Sequence, residues 1–168
     1  MGQKYNKKKK EKYILEWFPA PFIAPRELII QSGGICFTEN HKIILVREES
    51  GWYVPGGHPE GNETLEEALI REIAEEACAK VINYKYLGCI KNTEIDSLKP
   101  GKMPVFYKAR YWVKVQLNPF IPQFETTGRA EILPEEFVKI IGWNAKKMAK
   151  PILKAALLIE KETFNIII

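Results

Sequence analysis

Glu72, Glu75 and Glu76 stand at positions i, i+3 and i+4, so on a helix they share one face. Like charges at that spacing repel, which costs stability unless a cation sits among them. No basic residue lies between 72 and 79, and the nearest is Arg71. Hard divalent cations such as Mg²⁺ take oxygen ligands and are held by a few carboxylates together with substrate phosphates. A metal site is therefore one reading of this face, and a plain solvated charge run is the other. Upstream, Trp52-Tyr53-Val54-Pro55-Gly56-Gly57 reads as a short strand ending in a glycine turn. Glycines there let the backbone approach a ligand closely, and a carbonyl such as that of Gly56 can complete a metal shell.

The register extends well beyond three acids. Gly57, Glu63, Arg71, Glu72, Ile73, Glu75 and Glu76 follow one pattern. It runs glycine, five residues, Glu, seven residues, Arg-Glu, an apolar residue, any residue, Glu-Glu. This resembles the box of the Nudix hydrolases, a family that cleaves nucleoside diphosphates linked to another moiety. Two positions depart from it: Cys78 stands where the family has glycine, and Ala79 where it usually has a bulkier residue. Glycine commonly supplies a left-handed cap at a helix end, so Cys78 bears on the turn after the helix and not on the carboxylates.

The resemblance implies that Glu72, Glu75 and Glu76 are ligands or near-ligands of Mg²⁺, with Mn²⁺ as a substitute. It makes Glu63 and Arg71 the pair that orients them, the five together forming the catalytic set. Family members often recruit one more acid from a loop near the last strand. Glu131, Glu135 and Glu136 are placed for that, Glu136 being assigned to the metal shell, while a capping or surface role is the alternative for each.

The elements that must position these residues are legible in outline. Residues 27–37 and 42–46 read as a strand hairpin, with a bulge at Gly33-Gly34. Thr64 and Glu67 form a capping box for a helix over 65–78, whose Leu65, Leu69, Ile73 and Ala77 make an apolar stripe. Residues 81–91 and 105–116, rich in β-branched and aromatic side chains, read as long strands joined by a turn at 98–101. A long loop at 118–134 precedes a short strand at 137–143. Asn144 caps a final helix over 145–161, which Pro151 should kink or split. Two helices on separate faces of a mixed sheet give an α/β class, an α/β/α sandwich, and the resemblance implies the Nudix fold. The expected division is a basic tail and lead-in at 1–25 and a single domain at 26–168.

Charge is unevenly spread along the 168 residues. The formal net charge is +4, yet residues 1–12 hold six lysines against Glu11, leaving 19 basic and 20 acidic residues in the remainder. That tail could reach nucleic acid or an anionic membrane, but a disordered solubilising arm is the favoured reading. No apolar run approaches the roughly 20 residues that span a bilayer. Cys36, Cys78 and Cys89 are odd in number without metal-type spacing, which fits reduced thiols and a cytoplasmic location.

Hydrolysis of a diphosphate linkage in a nucleoside diphosphate derivative or nucleoside triphosphate is thus the expected activity. A catalytically silent nucleotide-binding domain and an RNA 5′-end pyrophosphohydrolase are the alternatives. Arg47, before the glycine turn, is a candidate phosphate contact, and Phe120 and Phe124 in the long loop are candidate stacking partners for a base. Markers associated with the ADP-ribose and dinucleoside polyphosphate subfamilies are absent, Glu94 and Ile95-Asp96-Ser97 occupying those positions. Substrate identity and oligomeric state stay open at this level.

Overall fold

In the computed structural model, residues 13–95, 104–123, 125–142 and 146–165 are described. The lysine tail, the turn at 98–101, Phe124 and the Asn144 cap therefore lie outside the described residues. The strands are β1 (Tyr13–Pro19), β2 (Ile29–Phe37), β3 (Ile43–Glu48), β4 (Gly51–Tyr53), β5 (Gly56–Gly57), β6 (Ala79–Glu94), β7 (Val105–Leu117) and β8 (Gly128–Ile132). The helices are α1 (Leu65–Ala77), α2 (Phe137–Ile140) and α3 (Lys146–Asn165). One sheet runs β1-β6-β7-β2-β3-β4, with β5 beside β2 and β8 beside β3. β2 and β7 pair parallel and the other strand pairs antiparallel, so the sheet is mixed.

Two apolar layers enclose the sheet, as expected of an α/β/α sandwich. On one face Leu69, Ile73 and Ala77 of α1 pack against Cys36, Ile44, Val46, Ala109, Tyr111 and Val113. On the other, Ala149, Ile152 and Ala156 of α3 meet Ile35, Phe37, Leu45 and Trp112, with Phe137 and Ile141 alongside. The alternation of Tyr111 and Trp112 between the two layers follows from the period of two along β7.

Four expectations need correction. Residues 137–143 do not form a strand: Phe137–Ile140 is a helical turn after a 3₁₀ turn at Pro134–Glu136. Pro134 suits the first position of such a turn, and the Glu136 carboxylate accepts the Leu133 amide at 2.8 Å. Phe137 and Ile141, four apart, are then buried on one side, a helical spacing hidden in a short apolar run. The long loop at 118–134 contains β8, whose charged outer residues mask its alternation, and Ile132 pairs with Ile43. The register shift in β2 falls between Ile29 and Gln31, whereas Gly33 and Gly34 stay in register with β7. Finally, α3 is not split; it continues through Pro151, which sits in its second turn.

The lead-in contributes an edge strand. β1 pairs with β6 from Tyr13↔Glu94 to Pro19↔Gly88, and Leu15, Trp17 and Phe18 pack onto the two layers. Partial burial of three such side chains is worth roughly 3 kcal/mol or more. Removing residues 1–19 should lower the melting temperature by about 8 °C or more, while removing 1–12 should shift it by less than about 2 °C. Thermal unfolding followed by circular dichroism checks both. Equal melting of the two truncations would show that β1 adds no stability.

Candidate metal-binding and catalytic site

Helix α1 begins where the sequence indicates. Thr64 accepts the Glu67 amide at 3.1 Å and Glu67 accepts the Thr64 amide at 3.0 Å, a reciprocal capping box. The helix ends at Cys78, which takes the left-handed conformation itself, with φ 50° and ψ 47°. A non-glycine residue there is strained by about 1–2 kcal/mol. Its Sγ lies 3.5 Å from both the amide nitrogen and the carbonyl oxygen of Ile121, anchoring the loop after β7. Arg129 reinforces the same end, donating to the carbonyls of Ala77 at 2.7 Å and Asn118 at 2.8 Å, where a cation complements the helix dipole.

Along the helix, Arg71 gathers the acids. Its Nε and Nη2 hold the Glu63 carboxylate at 2.7 and 3.1 Å, while Nη1 reaches Glu72 at 2.9 Å and Glu75 at 3.3 Å. The Glu63 carboxylate sits below its usual pKa, first because of the hydrogen bonds from Arg71 and then that from the Glu60 amide. Nη2 also donates to the His58 carbonyl at 3.1 Å, so the loop at 58–63 is tied to the helix.

Glycine is required by space at Gly56, where a Cβ would stand 2.5 Å from the Ser32 carbonyl oxygen, while a Cβ at Gly57 would displace the Glu72 carboxylate. The Gly56 amide donates to Glu76 Oε2 at 3.2 Å. Burial raises the Glu76 carboxyl to about 8, aided by the charges of Glu72 and Glu48 and opposed by that amide. Glu48 is itself raised by burial and by Glu125. Glu48, Glu49, Ser50 and Glu125 line a surface cleft beside this group.

The structure thus brings Glu63, Arg71, Glu72, Glu75, Glu76 and Gly56 together, and adds Glu48 and Glu125, which the sequence did not single out. Glu48 ends β3 and Glu125 lies in the β7–β8 connection; nothing short of the folded sheet says that these points meet. Glu136 is elsewhere engaged, closing its own turn, and Glu131 and Glu135 are exposed. Arg47 alternates with Ile43 and Leu45 on the α3 side of β3, its guanidinium 5.6 Å from the Trp52 ring centre. The Phe120 ring lies 5.5 Å from the Arg129 guanidinium, at the end of α1.

A divalent cation fits the donor set, which is carboxylate oxygen with a backbone turn at hand. Among the described residues no three acid, imidazole or thiol side chains are grouped so as to hold a metal ion by themselves. The raised Glu76 carboxyl has a consequence for stability. The folded protein holds this proton more tightly than the unfolded chain, so the contribution is full below the ordinary value of 4.5 and is lost as pH rises through about 8. In chelator, the urea midpoint should fall over that window, and Glu76→Gln should flatten the fall. A slope unchanged by the substitution would remove Glu76 as its source.

Known proteins share both sequence and shape with this chain. A Bacillus subtilis (strain 168) protein, provisionally named as the 8-oxo-dGTP diphosphatase YtkD, is 35% identical over 113 residues. That match covers 67% of this chain and 66% of the relative, just under two thirds of its length. The crystal structure of a mutant of the Bacillus subtilis pyrophosphohydrolase BsRppH superposes with a TM-score of 0.65 at 28% identity, covering 88% of this chain and 90% of that one. The NUDIX domain of Shewanella oneidensis NrtR, solved with ADP ribose, shares the fold with a TM-score of 0.56 at 15% identity, over 77% and 87% of the two chains. The family model described as the NUDIX domain matches residues 30–149, and with the glycine turn, the capped acidic helix and the sandwich around them in place, this chain belongs to the Nudix hydrolase family.

Proposed function

We propose that this protein hydrolyses a phosphoanhydride bond in a nucleoside triphosphate or a nucleoside diphosphate derivative, with Mg²⁺ as its metal. The observation that carries the reading is the grouping of Glu72, Glu76 and Glu48 at the Gly56 turn, where Glu76 is held as a high-pKa carboxyl. A structural helix face has no use for mutually repelling acids at a half-buried turn, and strongly perturbed carboxyls concentrate at functional sites. The names of the two Bacillus subtilis relatives, a diphosphatase of 8-oxo-dGTP and a pyrophosphohydrolase, support the same bond type.

Glu72, Glu75, Glu76 and the Gly56 carbonyl would hold the metal, which neutralises phosphate charge and lowers the pKa of a bound water. Arg71 keeps Glu72 and Glu75 in one orientation, and Glu63 keeps Arg71 in place. Glu48 and Glu125, facing the open cleft, supply the extra acid that Glu136 does not, and their carboxylates can take up the proton released by the attacking water. Arg47 and Phe120 remain candidate contacts for the rest of the nucleotide.

Glu76→Gln keeps the shape and removes the charge, and should reduce turnover on the order of a hundredfold or more while the circular dichroism spectrum is unchanged. Assay of nucleoside triphosphates and ADP-ribose-type diphosphates with phosphate and pyrophosphate readouts tests it, and wild-type turnover in the variant would sink the assignment. Metal and pH should be coupled. A cation favours the ionised carboxyl, so activity should rise from acid toward alkaline pH and more Mg²⁺ should move the acid limb lower. Full activity in excess chelator would refute the metal–carboxylate reading.

A further inference from the structure

The last carbonyls of a helix have no partner within it, and at the end of α1 they are met from a distant part of the chain. The Thr126 hydroxyl donates to the Glu76 carbonyl at 3.1 Å. Arg129 Nη1 donates to the Ala77 carbonyl at 2.7 Å and the Cys78 carbonyl at 3.3 Å. The Asn118 amide reaches the Cys78 carbonyl as well, at 2.9 Å. Three consecutive carbonyls of the acidic helix are thus held by the segment that runs from the end of β7 into β8.

Thr126 has a place in that segment which its neighbours do not share. It is 2% exposed, whereas Glu125 and Thr127 on either side are exposed. Its amide and its hydroxyl both approach the Gln123 carbonyl, at 3.3 and 3.2 Å, and so close the turn that carries Glu125. The hydroxyl has a single hydrogen, which the carbonyls of Gln123 and Glu76 therefore share. The Thr127 amide donates to the Arg47 carbonyl at 2.9 Å, one residue before Glu48. Glu125 is thus the outward residue of a turn fastened to α1 at Glu76 and to β3 at Arg47. Burial, and then the charge of Glu125, raise the Glu48 carboxyl, and the two acids line one cleft with Glu49 and Ser50. Three acids around one cleft repel, so a turn free to move would carry Glu125 out into water. A methyl group in place of the hydroxyl would fill the same space but would not hold the turn.

We propose that Thr126 is a positioning residue for hydrolysis, its hydroxyl fastening the turn to the Glu76 main chain so that Glu125 stays beside Glu48 at the cleft. This rests on the hydrolytic reading above, in which Glu48 and Glu125 take up the proton of the attacking water. The carbonyl that Thr126 holds belongs to the residue whose carboxyl sits at the Gly56 turn. One side chain therefore sets the separation between the proton acceptor and the acidic group. Misplacing a reacting group by about 1 Å costs rate on the order of a hundredfold, while the groups that bind the nucleotide stay in place. The effect falls on kcat and not on KM.

Thr126→Val keeps the shape and removes the hydroxyl, Thr126→Ala removes it without added bulk, and Thr126→Ser keeps it. Steady-state nucleotide hydrolysis by the full chain compares them with the wild type, Glu125→Gln and the Glu125→Gln, Thr126→Val double variant, at a temperature where melting curves show each of them folded. Thr126→Val and Thr126→Ala should lower kcat about tenfold with KM within about twofold, and Thr126→Ser should return kcat to within about threefold of the wild type. Glu125→Gln should itself lower kcat about tenfold or more. Adding Thr126→Val to it should change kcat by less than about twofold, because a residue that acts through another is not additive with it. Wild-type kcat in the Val and Ala variants, no recovery in Thr126→Ser, or a full further loss in the double variant would overturn the positioning role. A wild type that hydrolyses no nucleotide would remove the hydrolytic reading and this role with it, whereas an active wild type matched by Thr126→Val would remove the role alone.

Discussion

Arg71 holds together a face that would otherwise push itself apart. Three glutamates at i, i+3 and i+4 repel, and placing them beside a close-packed glycine turn aggravates this by removing water. The guanidinium meets that constraint with five directional hydrogen bonds, two to Glu63 and one each to Glu72, Glu75 and the His58 carbonyl. Burial opposes its charge, yet the bonds to Glu63 and Glu72 raise its pKa beyond the ordinary arginine value. A lysine would carry the charge but not the fork, and the loop at 58–63 would lose its tie to α1.

Two carboxylates, one buried on α3 and one half-buried on α1, stand in contrast. Glu160 on α3 is 4% exposed and accepts Trp112 Nε1 at 2.8 Å, lies 2.6 Å from His41 Nδ1 and is bound by the Lys114 ammonium. That carboxylate is fully engaged, and it pins the end of α3 to the tips of β2 and β7. Glu76, by comparison, has the Gly56 amide as a donor and otherwise meets other acids, a hydrogen bond with Glu72 and the charges of Glu72 and Glu48. A saturated acid fixes a helix, whereas a carboxyl short of donors and set among other acids holds its proton.

The glycines and Cys78 show how closely the layers approach. Gly56 admits β5 beside β2 at a distance no Cβ would permit, and a Cβ at Gly34 would clash with Val113 at 2.7 Å. At the helix end Cys78 accepts a conformation that favours glycine, and the thiol's contacts with Ile121 offset part of the strain. Cys78 thus bears on the loop after β7, which also carries Thr126, whose hydroxyl donates to the Glu76 carbonyl at 3.1 Å.

Much of the acidic group was determined by local sequence. The cap at Thr64, the stripe from Leu65 to Ala77 and the register of Arg71 with its acids all lie within about two dozen residues, where helix periodicity alone sets which side chains share a face. The long strands β6 and β7 were legible for the same reason, because β-branched and aromatic runs carry their own preference. Short elements were not: β1, β5 and β8 exist through the partners they pair with, and the turn at Pro134–Glu136 took Phe137 into a helix because capping outweighed a four-residue apolar pattern. Only tertiary structure decided that Glu48 comes beside Glu76, that Glu125 comes beside Glu48, and that Glu136 closes its own turn. Those meetings depend on strand order and on which face of the sheet each residue takes, and both arise from pairings between segments far apart in the chain.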